Sequence, residues 1–155
     1  MFKIENAKER YEALKTKYEL PDFDELDNEM ELDLSETRFL LKAIRQKITE
    51  TASSHAKQIE EVLQPESTLS ELYECQYISE DYKTKLFELF RKLKAIERYS
   101  HELSVNNSEK NNAVFINSSF KEWTSLKPKL TKFYTNMKNS WKEELNSKNI
   151  QEYFG

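Results

Sequence analysis

Apolar side chains recur along this chain at intervals of three and four, the spacing that places them on one side of an α-helix. Ile4, Ala7, Tyr11, Leu14 and Tyr18 mark one such seam and predict a helix over 3–19. Pro21 ends it, because the ring removes a backbone donor and pushes Leu20 out of the helical region. Asp22 with Glu25 three residues on has the form of a capping box, and Phe23, Leu26 and Met30 share a face, so a short helix over 23–30 follows.

Ser35 and Glu36 read as the next start, with Leu34 placed to staple onto Phe39. A long helix over about 36–64 then carries Leu41, Ile44, Ile48, Thr51 or Ala52, His55, Ile59 and Val62 inward, until Pro65 closes it. Thr68 and Glu71 cap a small helix bearing Leu69, Leu72 and Tyr73. Ser79 opens a third seam over 80–103, through Tyr82, Leu86, Leu89, Phe90, Leu93, Ile96 and Leu103. The polar, Asn-rich stretch 104–112 predicts a loop, the most mobile part of the chain.

The last seam, over 113–147, runs through Ile116, Phe120, Trp123, Leu126, Leu130, Phe133, Met137, Trp141 and Leu145. Pro128 interrupts it, so either two helices abut there or one helix kinks. Tyr153 and Phe154 either clip the tail onto the body or fray. Long amphipathic segments joined by short connections favour antiparallel neighbours. The expected fold is therefore all-α, an elongated up-and-down bundle with short accessory helices, in a single domain over 1–155.

Composition sharpens this picture mainly by exclusion. One Gly, at the end of the chain, and three Pro leave no tight β-turn signals and no glycine-rich loop of the kind that cradles a nucleotide's phosphates. Cys75 is the only cysteine, which excludes an intrachain disulfide and a multi-cysteine zinc site. Neither a leader nor an apolar run long enough to span a membrane is legible, so the expected compartment is the cytoplasm. The Asn-x-Ser matches at Asn106 and Asn117 are then chance products of an Asn-rich sequence.

Candidate chemistry is sparse. Cys75 has no basic neighbour in sequence to activate it, and His55 on its apolar stripe reads as a packed, hydrogen-bonded residue. A dimetal bundle site needs Glu-x-x-His, but Ala52 and Arg98 stand where the glutamates belong. Glu97 and His101 read as a solvated i, i+4 pair. A calcium loop begun at Asp22 would put Leu26 and Asp27 where an oxygen ligand and a Gly are required. No catalytic, cofactor or metal residue is assigned, and the expected role is not enzymatic.

Charge is more informative. Nine acids and no base lie between Glu19 and Glu36, interleaved with Leu20, Phe23, Leu26, Met30, Leu32 and Leu34. Such a strip can dock on the basic surface of a partner protein through Asp22, Asp24, Asp27, Glu29, Glu31 and Asp33, or can pack its apolar residues on its own bundle. Between residues 121 and 142, six lysines (Lys121, Lys127, Lys129, Lys132, Lys138 and Lys142) face a single acid, with Trp123, Phe133, Tyr134 and Trp141 among them. That pattern is the alternative, an RNA or DNA surface, although a net charge of −4 argues against nonspecific binding. A protein-interaction adaptor is the first expectation, and seams of this type also allow a homodimer.

The run Tyr18-Glu19-Leu20-Pro21-Asp22-Phe23-Asp24-Glu25-Leu26-Asp27, with Glu31-Leu32, Leu63-Gln64-Pro65 and Phe115-Ile116-Asn117 through Trp123, resembles small all-helical archaeal proteins with no assigned activity. The resemblance implies an all-α fold and brings no site residues.

Overall fold

The computed structural model describes residues 4–34 and 37–143, with side chains from residue 7 onward. Among them stand six helices and no strand: α1 (Ile4–Tyr18), α2 (Phe23–Met30), α3 (Leu40–Leu63), α4 (Leu69–Tyr77), α5 (Glu80–Val105) and α6 (Glu109–Lys142). The chain is all-α, as its periodicity requires. The Ser35–Glu36 start, Leu145, Tyr153 and Phe154 lie outside the described residues, as does the side chain of Ile4.

The fold gathers into two compact units. Unit 1 takes the chain up to Ser54 together with Lys94–Ser125, and unit 2 takes His55–Leu93 together with the chain from Leu126. In unit 1 the seam residues Ile44, Ile48 and Ala52 of α3 are buried, as are Leu103 of α5 and Ile116 and Phe120 of α6. In unit 2 the buried set includes Ile59 and Val62 of α3, Leu86 and Leu89 of α5, and Leu130 and Phe133 of α6. Burying each such side chain contributes about 1.5–3 kcal/mol, which makes these stripes the main driving force for both units.

Several boundaries differ from expectation, each for a local reason. Residues 37–39 are not helical, and α3 begins at Leu40. Arg10 of α1 donates to the carbonyls of Thr37 and Arg38 at 2.8 Å each, and the Thr37 hydroxyl accepts from the Phe39 amide. Those bonds hold the segment out of the helix. Leu34 is buried but Phe39 is 67% exposed, so the expected staple between them is not made.

The expected 104–112 loop narrows to residues 106–108. Ser108 caps α6 by accepting from the Asn111 amide at 3.0 Å, and the side chains of Asn111 and Asn112 bond back to Asn106 and Asn107. The asparagines tie this corner down rather than loosening it. Beyond it α6 runs as one continuous helix through Pro128. Thr124 and Pro128 are both exposed, so the face that loses its backbone bond is turned to water. Trp141, expected on the seam, is 50% exposed.

Two corners use left-handed residues that are not glycine: Glu19 (φ 53°), just after α1, and Glu31 (φ 51°), which caps α2 and donates its amide to the Asp27 carbonyl at 2.8 Å. A side chain with a Cβ is strained in that region, where Gly is the usual residue. Glu31→Gly is expected to raise stability by about 0.5–1 kcal/mol, read as an upward shift of roughly 1–4 °C in thermal midpoint. A lowered midpoint would show that the Glu31 side chain stabilises this corner.

Candidate functional site

The acidic segment lies in unit 1, and most of its carboxylates already have work inside that unit. Asp22 makes no side-chain cap on α2 as its sequence context predicts; its Oδ1 instead accepts from Lys15 Nζ at 3.4 Å. Asp24 pairs with Lys8 at 3.3 Å, and the same ammonium lies 5.9 Å from the Phe23 ring centroid. Asp27 Oδ1 accepts from the Leu32 amide at 3.0 Å, closing the chain past the end of α2. Glu29 Oε2 accepts from the Trp123 indole at 3.1 Å and so ties α2 to α6. Glu31 and Asp33 are exposed. The apolar partners Leu20, Phe23, Leu26, Met30 and Leu34 are buried, and only Leu32 is partly open. Exposed ion pairs of this kind contribute about 0–1 kcal/mol each, while the buried leucines, Phe23 and Met30 fix the position of α2.

All six C-terminal lysines are exposed, with Lys121 in unit 1 and the other five in unit 2. At about 100° per residue, Lys127, Lys138 and Lys142 fall along one side of α6, while Lys129 and Lys132 lie on another. The interspersed aromatics are mostly unable to stack on a base. Trp123 and Phe133 are buried, and the Tyr134 hydroxyl is engaged with His55 at 2.6 Å. Trp141 covers Tyr73 with ring centroids 4.3 Å apart and donates its indole N–H to Glu74 at 3.0 Å.

Lys129 and Lys132 face a groove of ≈ 440 Å³ between α5 and α6 in unit 2. Buried Leu86 and Leu89 make its floor, and Lys85, Glu88 and Tyr82 complete the α5 wall. Glu88 is the one acid in that lining, and Arg91 pairs with it at 2.9 Å, holding its carboxyl below the usual range. The groove is therefore cationic at its rim and apolar at its base. The Tyr82 hydroxyl is buried, and burial pushes its phenol up. Sequence reasoning assigned the lysines but not this groove, because Lys85 and Lys129 are remote in sequence and only the pairing of α5 with α6 brings them together.

Other candidates resolve into structural roles. Burial pushes the Glu97 carboxyl up, but the Ser53 hydroxyl at 2.9 Å and the cations Lys94 and Arg98 more than offset this and hold it below its ordinary value. Glu97 thus serves Ser53 and Lys94, while His101 faces Arg98 at 3.3 Å. Cys75 is half-buried. Among the described residues no three His, Cys, Asp or Glu side chains cluster as metal ligands, and no helix is long and apolar enough to cross a membrane. No family model, curated protein or solved structure matches this chain.

His55 lies in unit 2 beside Tyr134, and burial lowers its pKa from 6.5. The unfolded chain therefore binds a proton on this imidazole more readily than the folded one, so its contribution is complete above 6.5 and declines as the pH falls from there toward the depressed folded value. Thermal midpoints measured from about pH 7 down to about pH 5 should fall less steeply in His55→Gln than in the wild type. Parallel curves would remove His55 as a source of the acid sensitivity.

Proposed function

We propose that this chain is a non-enzymatic interaction module that docks an acidic, amphipathic segment of a partner protein in the α5–α6 groove of unit 2. The observation that carries the reading is the pairing of an apolar floor, Leu86 and Leu89, with Lys85, Lys129 and Lys132 on the rim and with the lone acid neutralised by Arg91. A helix with leucines on one side and carboxylates beside them matches both features: leucines gain by leaving water, and carboxylates meet lysines that make no ion pair among the described residues. The acidic segment 22–33 is the weaker docking surface, because most of its apolar members are already buried and Asp22, Asp24, Asp27 and Glu29 already serve α1, α2 and α6.

Nucleic-acid binding is the second reading, favoured by the exposure of all six lysines between residues 121 and 142. It differs in what it requires. A polyanion gains from lysines on every side of α6, whereas a docked acidic helix needs the row that borders the groove.

A labelled acidic peptide with leucines at helical spacing and a labelled single-stranded oligonucleotide, titrated by fluorescence anisotropy at low salt, separate the two. Lys129→Glu with Lys132→Glu should weaken peptide binding at least about tenfold, while Lys138→Glu with Lys142→Glu should change it by less than about twofold. Tight oligonucleotide binding that both pairs of substitutions weaken equally would replace the docking reading with the nucleic-acid one. Self-association seen by light scattering without peptide would make a second copy of the chain the occupant.

A further inference from the structure

Unit 1 contains a buried charge that none of the described side chains neutralises. Arg45, near the start of α3, is 2% exposed, yet no carboxylate pairs with it among the described residues. Its Nε donates to Asn112 Oδ1 at 2.8 Å, and one terminal nitrogen donates to the Ser100 carbonyl at 2.8 Å and hydroxyl at 2.6 Å. All three acceptors are neutral. The other terminal nitrogen bonds to none of the described residues. Burial lowers the Arg45 pKa, but a guanidinium starts so high that it stays charged at neutral pH. A buried cation without a counter-ion is costly, and folds normally supply one.

Arg45 also forms part of the wall of a groove of ≈ 490 Å³ between α3 and α5. Lys42, one turn before it, shares that wall and makes no ion pair among the described residues. Ser100 shares it too, and because its oxygen accepts from Arg45 its hydroxyl proton is available to a ligand in the groove. Glu50 is the only acid in this lining. On the same helix it stands about 12 Å along the axis from Lys42 and about 7.5 Å from Arg45, so it opposes an anion in the groove without pairing with either cation.

We infer that this groove is a binding site for a small oxyanion, a free phosphate or the phosphoryl group of a small metabolite, held by the Arg45 guanidinium, the Lys42 ammonium and the Ser100 hydroxyl. An oxyanion satisfies the free edge of the guanidinium and supplies a counter-charge that no described carboxylate gives Arg45, through charge-assisted bonds. The site is independent of the unit 2 groove, and its success or failure leaves the docking reading untouched.

The test is a titration of the isotope-labelled full chain with inorganic phosphate and, separately, glycerol 3-phosphate, following the Arg45 side-chain Nε–H and the backbone amides by NMR, with chloride at matched ionic strength as control. Saturable shifts at Arg45, Ser100 and His101 are expected with phosphate and absent with chloride, and tighter binding of one probe identifies whether free or esterified phosphate is preferred. Because Arg45 substitutions risk unfolding unit 1, Lys42→Gln and Glu50→Gln carry the test. Lys42→Gln should weaken binding about tenfold, and Glu50→Gln should tighten it. Shifts that track ionic strength whatever the salt, or a Lys42→Gln protein that binds as tightly as the wild type, would overturn the site.

Discussion

A guanidinium taken out of water must be held by dipoles aimed at it, and in unit 1 that requirement fixes how three helices meet. Arg45 reaches from α3 to the backbone and hydroxyl of Ser100 on α5 and to the amide oxygen of Asn112 on α6. Hydrogen bonds to charged groups contribute about 1.5–3 kcal/mol each, more than a neutral bond and comparable to one buried leucine. Apolar burial alone is non-directional and tolerates one helix sliding past another; a bond of fixed geometry between named atoms does not. The polar corner around 106–112 follows from the same demand, since Asn107 holds the Asn112 amide group at 3.0 Å while Ser108 caps the helix that carries it.

The near absence of glycine shapes the rest of unit 1. With no Gly to close helix ends, the chain turns at Glu19 and Glu31 in the left-handed region and stops α1 just before Pro21. The acids of this corner are then put to structural use. Asp27 satisfies an amide past the end of α2, Asp22 and Asp24 reach the lysines of α1, and Glu29 holds the Trp123 indole. The segment that looks in sequence like a recognition strip also fastens a short helix. Lysines in unit 2 remain exposed because α6 turns Leu126, Leu130, Phe133 and Met137 inward and leaves them the outer faces.

Helix existence was legible in the sequence because period and packing agree: Ile44, Ile48, Ile59, Leu86 and Phe133 were read from spacing and are buried. Features that depend on remote partners were not. Nothing near Thr37 announces that Arg10 will hold its carbonyl, so the start of α3 was placed too early. Nothing near Asn106–Asn112 shows that a buried cation needs Asn112, so capping and tying residues read as a loop. Trp141 belongs to the period of α6 but lies beside Tyr73 and Glu74, where its ring is covered on one side only. For the sites, all six exposed lysines were named, whereas the groove beside two of them and the charge of Arg45 depend on helix pairing. Arg45 carries one signal in the sequence, a cation one turn from Leu41 and from Ile48 on an otherwise apolar face.

A double-mutant cycle between Arg45 and Asn112 tests the central interaction most directly. Urea unfolding of the wild type, Arg45→Met, Asn112→Ala and the double variant isolates the energy the two side chains share. A coupling of about 1.5–3 kcal/mol is expected, with the double variant less destabilised than the sum of the singles. Additive losses, with coupling near zero, would contradict this, because they would mean that the bond from Arg45 to Asn112 does nothing to join α3 to α6 beyond the apolar packing around it.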